Sequence, residues 1–149
     1  MPHSHTSLLF HCIFTTKDRR PDITRDLAAQ LYPYMGGIVR ESGAVALIVN
    51  GARDHVYLLV RAPAALALSD LMRVLKTNSS RWVHERFPRA PFGWQSGFGA
   101  FTVSGSRRED VCRYIARQEE HHRRVSFRAE FLALLKKHGV EFDEREVWG

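Results

Sequence analysis

Two short stretches hold the side chains best suited to chemistry. "DHVYLLV", Asp54 to Val60, is an apolar run rich in branched residues and reads as a buried strand. His55 and Tyr57 stand two apart in it, so both leave the same face of its sheet. In "RYIARQEEHH", Tyr114 and Gln118 are i and i+4, neighbours on one helix face, and His122 extends that face by a turn. Arg113, Arg117, Arg123 and Arg124 crowd the same region. An imidazole, two phenols and an amide beside guanidinium groups suit a site that handles a polyanion. Other groups read blandly. Glu119, Glu120, His121 and His122 of "EEHHRR" are adjacent and cannot all converge on one ion, so they read as a solvated face. His3, His5 and His11 lack ligand spacing. Cys12 and Cys112 lie far apart in apolar segments, as buried thiols rather than a disulfide or a zinc pair.

The elements that must position these residues follow from pattern. "SLLFHCIFTT" (Ser7 to Thr16) reads as a strand closed by the charged turn "KDRRP". Asp22 or Thr24 caps a helix to about Ser42, with Leu27, Leu31, Tyr34 and Ile38 at helical spacing, although Pro33 and Gly36-Gly37 weaken its middle. Ala44 to Asn50 and His55 to Arg61 are strands joined by "GARD", a hairpin signal. Ser69 caps "LMRVLKTNSSRWVHERF", an amphipathic helix with Leu71, Leu75, Trp82 and Val83 inward. "PRAPFGWQSGFG" is a loop and "AFTVS" a last strand. Ser106 with Glu109 forms a capping box that opens one helix through His122. A second helix runs from about Ser126 to His138 and stops at Gly139. The tail "VEFDEREVWG" carries enough apolar residues to pack. The order implies an α+β fold: a ferredoxin-like split βαβ antiparallel sheet with helices on one face and a C-terminal helical extension. Residues 1–149 are expected to form a single domain.

Composition narrows the class. The 149 residues are 44% hydrophobic and 26% charged, as in ordinary soluble chains. No apolar run reaches the ~18 residues of a membrane helix. The start lacks a basic leader and a cleavage site, so a cytoplasmic protein is expected. The net charge of +6 rests on eighteen arginines against four lysines, with a pI near 9.8. That balance favours a nucleic-acid partner, although a GC-rich genome would also enrich arginine.

Taken together, these pieces resemble the insertion-sequence-200-like, single-tyrosine HUH transposases and, with them, the REP-associated tyrosine transposases. The resemblance rests on "TTKDRR", "DHVYLLV", "LKTNSSRW" with Trp82, "WQSGFGAFTVS" and "YIARQ", and spans nearly the whole chain. It implies that Tyr114 is the nucleophile and that His55 and Gln118 ligate Mg²⁺ or Mn²⁺. A second histidine belongs where Tyr57 stands. The implied reaction cleaves and rejoins single-stranded or hairpin DNA through a 5′-phosphotyrosine link with a free 3′-hydroxyl. The implied assembly is a homodimer with shared active sites. A neutral phenol is a poor ligand for either ion, so metal binding is expected to be weak or absent if Tyr57 disables the site. Asp54, Glu119 and His122 are the candidate replacements, with Asp54 expected on the opposite face. Lys17, Arg19, Arg20, Arg73, Lys76, Arg81, Arg113 and Arg117 are expected phosphate contacts. Phe92, Trp94 and Phe98 would either stack on bases or pack internally. Two competing readings are a decayed or domesticated module that holds DNA without cutting it, and a ferredoxin-like small-molecule or regulatory domain.

Overall fold

The computed structural model describes residues 1–122 and 124–148. Its strands are β1 (Leu9–Thr15), β2 (Val45–Gly51), β3 (His55–Arg61) and β4 (Gly99–Val103). They pair antiparallel in the order β2-β3-β1-β4. Helices α1 (Arg25–Glu41) and α2 (Leu68–Arg86) complete the expected βαββαβ order.

Strand alternation divides the molecule into two cores. Val56, Leu58 and Val60 of β3 and Cys12 and Phe14 of β1 point to one face, where Leu31, Met35, Leu71 and Leu75 of α1 and α2 cover them. Tyr57, Leu59 and Ile13 point to the other, with His55 in alternation beside Tyr57. That second face is covered by α3 (Arg108–Ala116) and by the extension, comprising α4 (Gln118–His121), α5 (Phe127–Lys137) and α6 (Glu144–Val147). Ile115, Phe127 and Leu135 are its buried anchors. Each such side chain contributes roughly 1.5–3 kcal/mol by leaving water. The extension is therefore the roof of the chemically interesting face.

Several local expectations are corrected. Helix α2 starts after Ala67, with no side-chain cap, and Ser69 lies inside it. Asp70 in the first turn supplies the favourable charge instead. The Ser106–Glu109 capping box does not form, because residues 105–107 make a 3₁₀ turn in which the Ser106 hydroxyl meets that of Ser104. Helix α1 runs unbroken through Pro33 and Gly36-Gly37, held by its buried face. The single helix expected through His122 breaks at Arg117, whose φ and ψ of −102° and 20° leave the helical region. Asn50 Nδ2 stabilises that break by donating to the carbonyls of Ile115 (2.9 Å) and Ala116 (3.3 Å). Helix α5 ends as expected, at Gly139 with φ 65°, where the Val140 and Gly139 amides return to the carbonyls of Leu135 and Lys136.

Candidate active site

His55 opens β3 directly after a tight hairpin. A Cβ on Gly51 would lie 2.1 Å from the His55 carbonyl oxygen, so the turn closes only around glycine. The ring is 1% exposed and lies flat on Phe127, centroids 4.4 Å apart. Its Nδ1 meets Asp54 Oδ1 at 2.8 Å. That carboxylate therefore reaches round to the imidazole rather than pointing to the opposite face. With its proton on Nδ1, the ring turns a lone pair outward from Nε2. Burial alone would raise the Asp54 carboxyl, but the His55 hydrogen bond and the charges of His55 and Arg19 hold it below the usual range.

The break at Arg117 swings Gln118 inward until it is fully buried. Its Oε1 lies 3.5 Å from His55 Nε2 and 2.8 Å from His122 Nε2. The rings of His55 and His122 meet edge to face at 4.4 Å. His122 Nδ1 is 3.0 Å from the Val125 carbonyl. Burial, His55 and His121 push the His122 imidazole down to about 4, so it is neutral at pH 7 and has one proton for two oxygen-facing nitrogens. With that proton on Nδ1, the Nε2 lone pairs of His55 and His122 and the Gln118 carbonyl oxygen face one another. Facing donors of this kind suit a divalent cation, the amide oxygen favouring hard ions and the imidazoles softer ones. Among the described residues no three His, Cys, Asp or Glu side chains are grouped to hold an ion. The donor set here is two imidazoles and an amide.

Tyr57 does not join these donors. Its hydroxyl donates to Glu130 Oε1, and the Tyr114 hydroxyl donates to the same oxygen. The two phenol rings stack at 6.2 Å. Burial and the Glu130 carboxylate raise the Tyr57 phenol far above its ordinary range. The second Glu130 oxygen lies 2.8 Å from His121 Nε2 and 3.4 Å from His122 Nε2, near enough to pair but unaligned for hydrogen bonding. Glu130 is 7% exposed, and burial raises its carboxyl. Around Tyr114 open two hollows. One, of about 410 Å³, is walled by Arg113, Arg117, Arg124 and His121 together with the carboxylates of Glu120 and Asp110, the latter paired with Arg113. The other, of about 610 Å³, is mostly apolar and lies between His11, Phe101 and α5.

The decisive comparison is with a family model. The model described as "Transposase IS200 like" matches residues 4–118. The chain belongs to the IS200-like transposase family. It is 26% identical over 119 residues to the ISDra2 transposase TnpA of Deinococcus radiodurans, covering 76% of this chain and 85% of that one. It also resembles a transposase candidate from Deinococcus radiodurans R1 solved at 1.90 Å, with a TM-score of 0.63 and 25% identity over 77% of this chain and 93% of that one. The fold recurs at 13% identity in a REP-associated tyrosine transposase solved with a REP hairpin, with a TM-score of 0.60 over 80% of this chain and 73% of that one. The family match ends at Gln118, so His121, His122, Phe127 and Glu130 lie beyond it.

Within this transposase the expected residues separate into groups. Tyr114, Gln118, His55 and Tyr57 share one face. Arg113 and Arg117 flank Tyr114 and are exposed. Arg73 and Arg81 stand on α2, across the sheet, where they meet Asp70 and Asn78. Lys76 is tied to the carbonyls of Gln95 and Gly97, and burial lowers its ammonium to about 8. It clamps a loop. Arg20 meets Asp22, and Lys17 is exposed beside it. Arg19 is held by Asp54 and lies over the rings of Phe127 and Trp148. Of the aromatics in the loop, Phe92 is buried and Trp94 packs on Phe14, while Phe98 is exposed. Glu119 pairs with Arg25 at the surface. Arg123 lies outside the described residues.

One reading is overturned, and one residue had gone unread. His121 and His122 turn inward to Glu130 and are not a solvated face. Glu130 itself was missed. Its signal was a carboxylate on the apolar stripe of α5, three residues after Phe127 and four before Leu134.

Proposed function

We propose that this transposase cleaves and rejoins single-stranded DNA bearing a hairpin, with Tyr114 as nucleophile. The observation that carries the reading is the gathering, within one chain, of Tyr114, a hollow lined by Arg113, Arg117 and Arg124, and the facing polar atoms of His55, Gln118 and His122. Arg113, Arg117 and Arg124 suit the phosphates either side of the scissile bond. The phenol oxygen forms a bond to phosphorus as the bond to the 3′ oxygen breaks. The phenol loses its proton to solvent, and the departing oxygen takes one from water to end as a hydroxyl. Rejoining reverses these steps, since the phosphotyrosine keeps the bond energy. His55, Gln118 and His122 would hold Mg²⁺ or Mn²⁺, which when bound supplies charge stabilisation to the phosphate. His122 replaces the ligand lost at Tyr57, and Asp54 orients His55 for the task. The REP-hairpin complex of the relative at 13% identity gives the hairpin part of this proposal a structural precedent.

The test is a labelled single strand carrying a hairpin, incubated with the protein and Mn²⁺ and resolved under denaturing conditions. A covalent adduct that EDTA prevents and Tyr114→Phe abolishes, with affinity nearly unchanged, supports the reading. Tight binding without any adduct would favour a module that holds DNA uncut, the second reading that Tyr57 motivates.

A further inference from the structure

We infer that Glu130, contributed by the extension, is a positioning residue for Tyr114, and that Tyr57 serves this carboxylate instead of the metal. The inference rests on the function proposed above, but its geometry is independent of it. Both phenols donate to Glu130 Oε1. One carboxylate oxygen can accept two hydrogen bonds, so Tyr57 and Tyr114 are held at a fixed separation by a shared acceptor. His11 closes the arrangement, its ring edge-on to both, at 5.0 and 6.3 Å.

The Tyr114 ring meets Tyr57, His11 and His121, and its hydroxyl is held by Glu130. It is half-buried on the short helix α3, between two open hollows. A phenol swings about two side-chain bonds, and placing an attacking oxygen in line with phosphorus demands that this freedom be removed. Glu130 removes it. Its own position is fixed by α5, whose Ser126 cap and Phe127 anchor seat the helix against His55. The position that would otherwise carry a second histidine has thus changed partners. Tyr57 no longer offers a donor to an ion; it fixes the acceptor that aims the nucleophile. The two departures, a tyrosine on β3 and a carboxylate on α5, form one unit, and a chain ending where the family match ends would have no acceptor for either hydroxyl.

The test compares Glu130→Gln and Glu130→Leu in the full chain. Glu130→Gln keeps an oxygen acceptor and should form adduct within a few-fold of the unmodified rate. Glu130→Leu should slow it about a hundredfold at saturating DNA, with DNA affinity unchanged. Equal rates for Leu and the parent, or equal losses for Gln and Leu, would overturn positioning. A second readout does not need activity. In protein labelled with 3-fluorotyrosine, the ¹⁹F resonance that Tyr114→Phe removes should shift in Glu130→Leu and return towards its place in Glu130→Gln. An unmoved resonance overturns the inference even if adduct forms. A shifted one upholds it even if no adduct forms, in which case the proposed function alone fails. For Tyr57, Tyr57→Phe should leave Mn²⁺ affinity unchanged and slow adduct severalfold. Lost Mn²⁺ affinity would make Tyr57 a ligand and overturn its assignment to Glu130.

Discussion

At the scale of residues, hydrogen bonds fix the orientation of the two imidazoles of the site. Asp54 meets Nδ1 of His55, the Val125 carbonyl meets Nδ1 of His122, and both Nε2 atoms face the Gln118 amide oxygen. His122→Ala should therefore weaken Mn²⁺ binding at least tenfold by calorimetry. An unchanged affinity would remove His122 from the ligand set. His11 gives a pH-dependent prediction. It is 4% exposed with no partner for Nε2, and burial, aided by His138, lowers its imidazole from 6.5 to about 4. A folded value below the unfolded one means that the unfolded chain binds more protons between those limits. Stability should be full above about pH 6.5 and fall as pH drops towards 4, by about 3 kcal/mol from this residue. His11→Phe should flatten that acid limb in urea titrations, and an unaltered limb would assign it to other groups. His55, Tyr57, Tyr114 and Gln118 were legible in the sequence because strand and helix periodicities put them on shared faces. Glu130 was not. A carboxylate on an apolar stripe shows that it needs a partner without showing that its partners lie 73 and 16 residues away.

At the scale of elements, the βαββαβ frame was legible because turns, strand lengths and apolar spacing agree with one another. The break in the tyrosine helix was not, since no glycine or proline marks Arg117. It depends on Asn50, on a different strand, capping the carbonyls of Ile115 and Ala116. Asn50→Ala should cost about 1 kcal/mol of stability and reduce Mn²⁺ affinity, because Gln118 loses the geometry that aims it at His55. A variant with normal Mn²⁺ binding would show that the break is held by other contacts. Gly51→Ala should cost more, since the added methyl meets the backbone carbonyl of His55 instead of a side chain that can move.

At the scale of the whole molecule, the sheet separates two surfaces. Arg113 and Arg117 stand with Tyr114, whereas Arg73 and Arg81 lie behind α2. Neutralising Arg113 and Arg117 should reduce the salt dependence of single-strand binding by about 0.7 per lost phosphate contact. Neutralising Arg73 and Arg81 should change it little, and the reverse result would place the DNA path on the α2 side. The groups stand together within one chain, and if each copy works by itself, mixing Tyr114→Phe with His55→Ala protein should not restore adduct formation. Restoration would mean that sites are shared between two copies. The most direct test of the central claim is to trap the adduct on a hairpin-bearing single strand, digest it and locate the modified peptide by mass spectrometry. A nucleotide phosphate on Tyr114 is the predicted result; attachment at Tyr57 or any other residue, or no attachment while DNA is bound, would contradict it.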